Sequence, residues 1–570
     1  MIWLSRLSFF FAVLDLVLMI YLIVNGFPPE ALGKVMHFKN MRKPFLALLF
    51  LCLVAVGLHP ERKSLADRLK KKVTALTAKP YAIWLLFMIY SLLFLWQQLT
   101  EYFSIDINFL PFSFYDYMFH YFFQGKINFT GLLHGYYHLN NIMIFLVPFW
   151  YFFRSSLFLV VIYGFIAAAA VLPLYGIAKE RFQSPLLAFF IAFIYLNYRY
   201  LQNVLLMNFS VEIFYPLFIF ASVYTAMKER WKLYYLFVFL GLFVKEDSFL
   251  YFSAVGLLVF FMKHQVLFLQ GPNQVWTKAD RGGMSIPKRK LHGFLTIVFS
   301  LVYFVFLIKF FIPWTGNTIL KGDIENFGGF GESIGDMLGN LLRSPWLIIA
   351  VLFGTAEKWR TYFNLLGRLL FLPVCSPSAL LILAPLLPLF FHSTGRDSDF
   401  IDLRFHYAAA VIPFVFLAFI FGFSNVRKKI PERWRQIFMG VASLALLAIN
   451  GGNYVTRPIT QENIRSIQWA QRIPARANLV THGHLLPYVG YRKYNYYFAV
   501  PFELKEHPAH EAFSKADYYL LDFNVNLYPM NKAYVEQKVK ALKEDSSYQL
   551  VDEEDERYLF VRKDFHIGRV

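Results

Sequence analysis

Leu242–Phe252 reads LFVKEDSFLYF. Three consecutive charges, Lys245, Glu246 and Asp247, stand between two apolar runs with almost no loop to carry them. Hydrocarbon accommodates such a triplet only at high cost unless the charges face water, a polar cavity or one another. The triplet marks either a membrane-surface turn between two spans or a polar site inside a helical bundle. A tight hairpin whose charges serve topology alone is the plainer alternative.

Apolar runs continue on both sides. The chain of 570 residues is 57% hydrophobic, against roughly 45–50% for a soluble domain, and its mean hydropathy is +0.45. Runs near the ~20 residues that cross a bilayer recur through the first 450 positions. The fold class expected is an all-α polytopic membrane domain followed by a small α/β domain. The first run, Phe9–Val24, contains Asp15 and lacks an A-x-A-like cleavage site, so it reads as a retained span rather than a signal peptide.

The net charge of +19 does not imply nucleic-acid binding, because the excess lies in short loops between apolar runs. Segments 61–79, 277–290 and 426–436 are strongly basic and are placed in the cytoplasm by the positive-inside rule, with the shorter KERF (179–182) and KERW (228–231). The spans that follow are 4–25, 44–58, 80–99, 156–177, 184–198, 210–226, 231–244, 248–267, 292–312, 361–375, 376–392, 407–424 and 436–450. These make about 13 crossings, with the N-terminus inside and the tail outside. Asn141–Phe153 would break this parity and is read as a re-entrant or surface-lying helix. Loop 100–140, the Asn208–Glu212 turn, the charged triplet, and loops 313–358 and 394–406 then fall on the outer side.

Three regions are expected. Residues 1–79 form a transmembrane hairpin and a basic cytoplasmic loop, 80–450 a transmembrane core, and 451–570 an extracytoplasmic α/β domain. In the last, 478–481, 516–521 and 558–561 read as strands and 531–543 as a helix. Cys52 and Cys375 lie in apolar segments and build neither a disulfide framework nor a metal site.

The candidate chemistry lies between the spans. In FSFYDYMFHYFFQGKINFTGLLHGYYHLNN (112–141), Asp116 and His120 are four residues apart and share a helix face, and His134 and His138 have the same spacing. A carboxylate beside an imidazole can serve as a general base, and the histidines can bind substrate or hold a metal. In MNFSVEIFYP (207–216), Glu212 stands at the mouth of a span, where an ordinary helix-start carboxylate is the plain reading. In RDSDFIDLRFHY (396–407), Asp397 and Asp399 form a D-x-D able to bind a divalent cation, Mg or Mn, through hard oxygens. Arg404 or Lys245 can clamp a phosphate, with Asp247 and His406 close by in sequence to one or the other. The Gly-rich 328–339 stretch has neither a preceding strand nor a following Lys-Ser/Thr, so it is not a phosphate loop.

The order of these residues resembles the polytopic prokaryotic membrane proteins grouped as domain of unknown function 2079, over roughly residues 100–530. It runs from Asp116 through His134 and His138, Glu212 with Tyr215-Pro216, Lys245-Glu246-Asp247, and Leu372-Pro373 with Ser376-Pro377, to His406-Tyr407. Where that family often has Phe-His-Pro after the acid, this chain has Phe214-Tyr215-Pro216. The family is similar in turn to GT-C type membrane glycosyltransferases. That resemblance implies a polyprenyl-phosphate sugar donor, a multi-pass protein of the prokaryotic cytoplasmic (inner) membrane in contact with membrane lipids, and an outer-loop acid acting as base or metal ligand. It maps that acid onto Asp116, with Glu212 and Glu246 as further catalytic candidates. A transporter or lipid flippase is the alternative. Such proteins usually carry internal repeats, and none is visible here. A noncatalytic membrane assembly partner is the third reading.

Overall fold

Lipid-facing backbone must satisfy its own hydrogen bonds, which favours helices. The computed structural model is accordingly mostly helical, with a small sheet near the C-terminus. It describes residues 2–25, 41–106, 109–123, 125, 127–135, 138–153, 155–262, 288–315, 339–340, 343–392, 398–475, 477–489, 495–497, 516–527 and 530–565.

Among the described residues, five helices are long and apolar enough to cross a membrane: Trp3–Asn25, Tyr81–Phe103, Leu157–Phe182, Lys288–Trp314 and Phe405–Lys429. Six shorter apolar helices accompany them: Met143–Phe153, Pro185–Leu196, Val211–Met227, Trp231–Leu242, Ser248–Phe261 and Pro377–Phe391. The helix ending at Lys429 is central, with 83% of its apolar window buried, whereas Trp3–Asn25 is 11% buried and presents Phe, Leu and Val side chains outward. Ser248–Phe261 packs closely on Lys288–Phe306 because both have a glycine at the crossing. A Cβ on Gly293 would lie 2.5 Å from Phe260 N and 2.7 Å from the Gly256 carbonyl oxygen. Small residues of this kind let membrane helices approach backbone to backbone.

Two sequence expectations change. The segment expected as one span over 361–375 is broken. The amphipathic helix Ala356–Gly367 ends, Leu370 and Phe371 take positive φ, and two 3-10 segments, Leu372–Cys375 and Pro377–Ile382, follow. Pro373 and Pro377 lack the amide hydrogens that a continuous helix needs. The basic segment expected as loop forms the exposed helix Arg62–Ala78, since its Lys, Arg, Leu and Ala are strong helix formers.

The helix ends sort by charge. Lys228 pairs with Glu180 at 2.6 Å, Arg289 pairs with Glu229 at 3.0 Å, Arg181 donates to Asn425 and Arg427 donates to the Phe182 carbonyl. These contacts gather the ends of Leu157–Phe182, Phe214–Met227 and Val411–Lys429 with the starts of Trp231–Leu242 and Lys288–Phe306. The other ends of Phe214–Met227, Trp231–Leu242 and Val411–Lys429 meet at the opposite pole, and the charged triplet lies there.

Near the C-terminus, five strands form one mixed sheet. They are Leu479–Thr481 (β3), Asn495–Tyr497 (β4), Tyr518–Asp522 (β5), Tyr548–Glu554 (β6) and Arg557–Arg562 (β7), numbered after the short pair His134–Gly135 (β1) and His138–Leu139 (β2). Their order is β4-β3-β5-β7-β6, parallel at β3–β4 and β3–β5 and antiparallel elsewhere. Asp555 and Glu556, both at positive φ, make the two-residue β6–β7 turn, whose backbone matches the strand twist. The helices Gln461–Arg472, opened by a Thr460/Asn463 capping box, and Lys532–Glu544 complete the unit. The charges of β6 hide its strand character from a hydropathy reading. The unit rests on the end of Tyr81–Phe103 and on the helix Phe109–Phe123: the Tyr102 and Tyr488 rings meet at 4.8 Å, Arg457 pairs with Asp106 at 2.6 Å, and Tyr117 of the second helix donates to the Leu486 carbonyl at 3.3 Å. Helix Tyr81–Phe103 starts beside Lys79, so this contact lies away from the basic pole.

Candidate functional site

The Lys245-Glu246-Asp247 turn is short because Trp231–Leu242 and Ser248–Phe261 almost abut. Ser248 Oγ donates to the Leu242 carbonyl at 2.7 Å, and Ser248 N donates to the Lys245 carbonyl, closing the turn. Its three side chains leave in three directions and each finds a separate partner.

Lys245 points inward. Its ammonium lies 3.0 Å from Glu212 Oε1, and each side chain is only 9% exposed. Burial would lower the lysine's pKa, but Glu212, Asp247 and Glu246 together hold it well above its ordinary value, so it stays charged. Glu212 sits in the 3-10 turn Val211–Ile213 and also accepts from Ser210 Oγ. His406 Nε2 lies 3.7 Å from the same Glu212 oxygen that meets Lys245. His406 reaches this place through a contorted turn, in which Leu403 and Phe405 both hold positive φ, a conformation that side-chain-bearing residues seldom adopt.

Glu246 points toward the β1–β2 segment. Its Oε1 is 2.7 Å from His138 Nδ1, and its Oε2 accepts the Leu139 amide at 2.8 Å. Burial would raise this carboxyl's pKa, but His138, Lys245 and Glu246's own backbone amide hold it below the ordinary carboxylate range. His138 and Glu246 keep 30% and 20% side-chain exposure, more than the 9% of Lys245 and of Glu212. Asp247 accepts from Tyr215 OH at 2.6 Å and Tyr251 OH at 2.7 Å. Burial pushes its pKa up, helped by Glu246, while Lys245 and the two tyrosines oppose.

The structure thus brings together Glu212, Lys245, Glu246, Asp247, His138 and His406. Asp116 is buried on Phe109–Phe123 and accepts from Ser156 Oγ at 2.7 Å. His120, one turn later, is buried edge-on against Trp150, with 4.2 Å between ring centroids. Tyr115, beside Asp116, joins this helix to the β1–β2 segment through Asn140 Oδ1 at 3.4 Å. Arg404 is 57% exposed and pairs with Asp402 at 3.5 Å. His134 belongs to β1 and Asp399 to the short helix Ser398–Ile401, but the side chains of both, and all of Asp397, lie outside the described residues. Among the described residues, no group of three or more His, Cys, Asp or Glu is arranged to hold a metal ion.

Tyr251 and Ser210 are not marked out by the sequence, and Tyr215 enters there only through the Tyr215-Pro216 motif, with no role. Tyr251 is four residues from Asp247 on the same helix face, and Ser210 is two from Glu212, so local spacing carried that signal. Tyr215 had no such cue towards Asp247, because the two meet only through helix packing.

Residues 113–559 match the family model described as "Predicted membrane protein (DUF2079)". The chain belongs to the DUF2079 family. All six clustered residues lie inside the DUF2079 match. No curated protein matches this chain. Among solved structures it is similar to the oligosaccharyltransferase of Archaeoglobus fulgidus, crystallised with zinc and sulfate, at 13% identity and a TM-score of 0.33. That similarity covers 72% of this chain, which spans 63% of the archaeal protein's length.

Proposed function

We propose that this DUF2079 chain is an integral-membrane glycosyltransferase. It transfers a sugar from a polyprenyl-phosphate donor to an acceptor hydroxyl on the outer face. The observation that carries this reading is the His138–Glu246 pair, a partly exposed carboxylate–imidazole couple at 2.7 Å on the pole opposite the basic helix ends. The Lys/Arg-rich pole belongs on the cytoplasmic side by the positive-inside rule, which supports an outward-facing site.

The chemistry follows from the geometry. Glu246, kept ionised by its neighbours, accepts the acceptor hydroxyl's proton, and His138 holds that carboxylate in place. The acceptor oxygen bonds to the sugar's anomeric carbon, and the carrier phosphate leaves with the electron pair of the broken C–O bond. Lys245 already answers Glu212 and faces two more carboxylates. We therefore assign it to fixing the turn, and assign the leaving phosphate to the exposed Arg404. The D-x-D at Asp397 and Asp399 is the proposed place for Mg or Mn. Asp116, the acid that the GT-C resemblance selects, is the competing base.

Transfer from a polyprenyl-phosphate sugar by purified protein, with Glu246→Gln beside Asp116→Asn, tests the reading. Loss of a general base typically costs about 10²–10⁴ in rate. We expect that loss for Glu246→Gln and a smaller effect for Asp116→Asn. The reverse order moves the base to Asp116. Absence of transfer by the wild-type protein across donors, together with lipid-carrier translocation in vesicles, favours the flippase.

A further inference from the structure

A second polar cluster lies at the end of helix Tyr81–Phe103, apart from the charged triplet and unused by the proposed chemistry. Gln97, Gln98 and Asn208 are fully buried, and Glu101 is 2% exposed. Gln97 and Glu101 are four residues apart on one helix face. Asn208, held at a positive φ, donates to Glu101 Oε2 at 2.7 Å and approaches Gln98 Oε1 at 3.5 Å. Gln98 Nε2 donates to the Leu205 carbonyl at 2.7 Å.

Three buried atoms remain unsatisfied. Glu101 Oε1 and both ends of the Gln97 amide make no well-formed hydrogen bond among the described residues, although the Gln97 side chain lies close to Glu101. Buried polar atoms are almost always paired, so each exception needs a cause. Nor does any described Lys, Arg or His lie within ion-pair distance of Glu101, since the nearby Arg457 pairs with Asp106 at 2.6 Å. A carboxylate this deep requires a countercharge or a proton.

We propose that Gln97, Gln98, Glu101 and Asn208 form an internal binding site for one monovalent cation of the sodium class. The donor set favours an ion over a proton. A proton on Glu101 engages one acceptor, whereas a cation engages Glu101 Oε1 and the amide oxygens of Gln97 and Gln98 together. Those are hard oxygen ligands carrying a single negative charge. Calcium sites commonly assemble more carboxylates, which makes a divalent occupant a poorer match. The ion would anchor the end of Tyr81–Phe103 to the Asn208 turn, two residues before Ser210 and four before Glu212.

The test uses the full-length protein purified in detergent. Its thermal midpoint is measured in sodium chloride and in choline chloride at equal ionic strength, and radiolabelled sodium binding is measured alongside. We expect about one sodium per chain and a midpoint at least about 3 °C higher in sodium, as a ligand selective for the folded state produces. Glu101→Gln should abolish both effects. Gln97→Leu should weaken sodium binding at least about tenfold, the loss that even an outer-shell partner causes at a metal site, and it serves if Glu101→Gln fails to fold. Equal midpoints in both salts, a sodium response that survives both substitutions, or a midpoint that follows pH and ignores sodium overturns the proposal.

Discussion

Glu212 and Lys245 meet at 3.0 Å across two helix ends, each with only 9% of its side chain exposed. Removing one partner leaves the other as an uncompensated buried charge, which costs about 3–5 kcal/mol. Lys245→Met should therefore destabilise strongly, whereas Lys245→Met with Glu212→Gln should recover a good part of that loss. A double-mutant cycle on thermal unfolding in detergent measures the coupling. Additive losses would show that the pair does not interact in the folded protein.

Glu246 predicts a loss of stability in acid. Its pKa is depressed in the folded protein, so its contribution is complete above the ordinary glutamate value of about 4.3. It is lost as the pH falls through the lower folded value. Glu246→Gln should show a smaller loss below about pH 4 than wild type. Parallel pH profiles would mean that the His138–Glu246 contact contributes nothing to stability.

His482 predicts acid sensitivity at a higher pH and in the C-terminal unit. It is 2% exposed at the end of β3, and burial, reinforced by His484, lowers its pKa to about 3. The unfolded chain takes up this proton below about 6.5 and the folded one does not. Stability thus falls as the pH drops below 6.5, by at most about 1.4 kcal/mol per unit. Limited proteolysis between pH 7.5 and 5 should cleave the unit faster at the acid end. His482→Gln should flatten that dependence if the imidazole is its source.

Arg557 holds the C-terminal sheet to its first helix. Its fully buried guanidinium reaches Asp522 Oδ2 and Ser466 Oγ, at 3.2 and 3.3 Å, and also Glu462. Arg557→Met should cost about 3–5 kcal/mol, because Asp522 is left charged with no exposure to water. Protease resistance of the 460–565 region provides the measurement. An unchanged resistance would assign the packing to apolar contacts alone.

Much of this molecule is legible in its sequence. Hydrophobic run length and the Lys/Arg-rich segments establish a helical membrane protein, because the bilayer penalises every unsatisfied backbone group in the same way whatever the partners. The charged triplet between two apolar runs stands out as a candidate site for the same reason. Strand residues around 479, 518 and 558 show in their apolar character, whereas the acidic β6 does not.

Tertiary packing alone decided which charge answers which. Glu212 and Lys245 are 33 residues apart, and His138 and Glu246 are 108 apart. Helical periodicity tells which face a side chain occupies, but not what is packed opposite it. Gln97, Gln98 and Glu101 look like the ordinary polar end of a span until Asn208, more than a hundred residues later, is folded against them. Nor could the chain as written show that Asp116 is buried and accepts from Ser156 while Glu246 stays 20% exposed. Burial is a property of the assembled bundle, which encloses Asp116 and leaves Glu246 partly open.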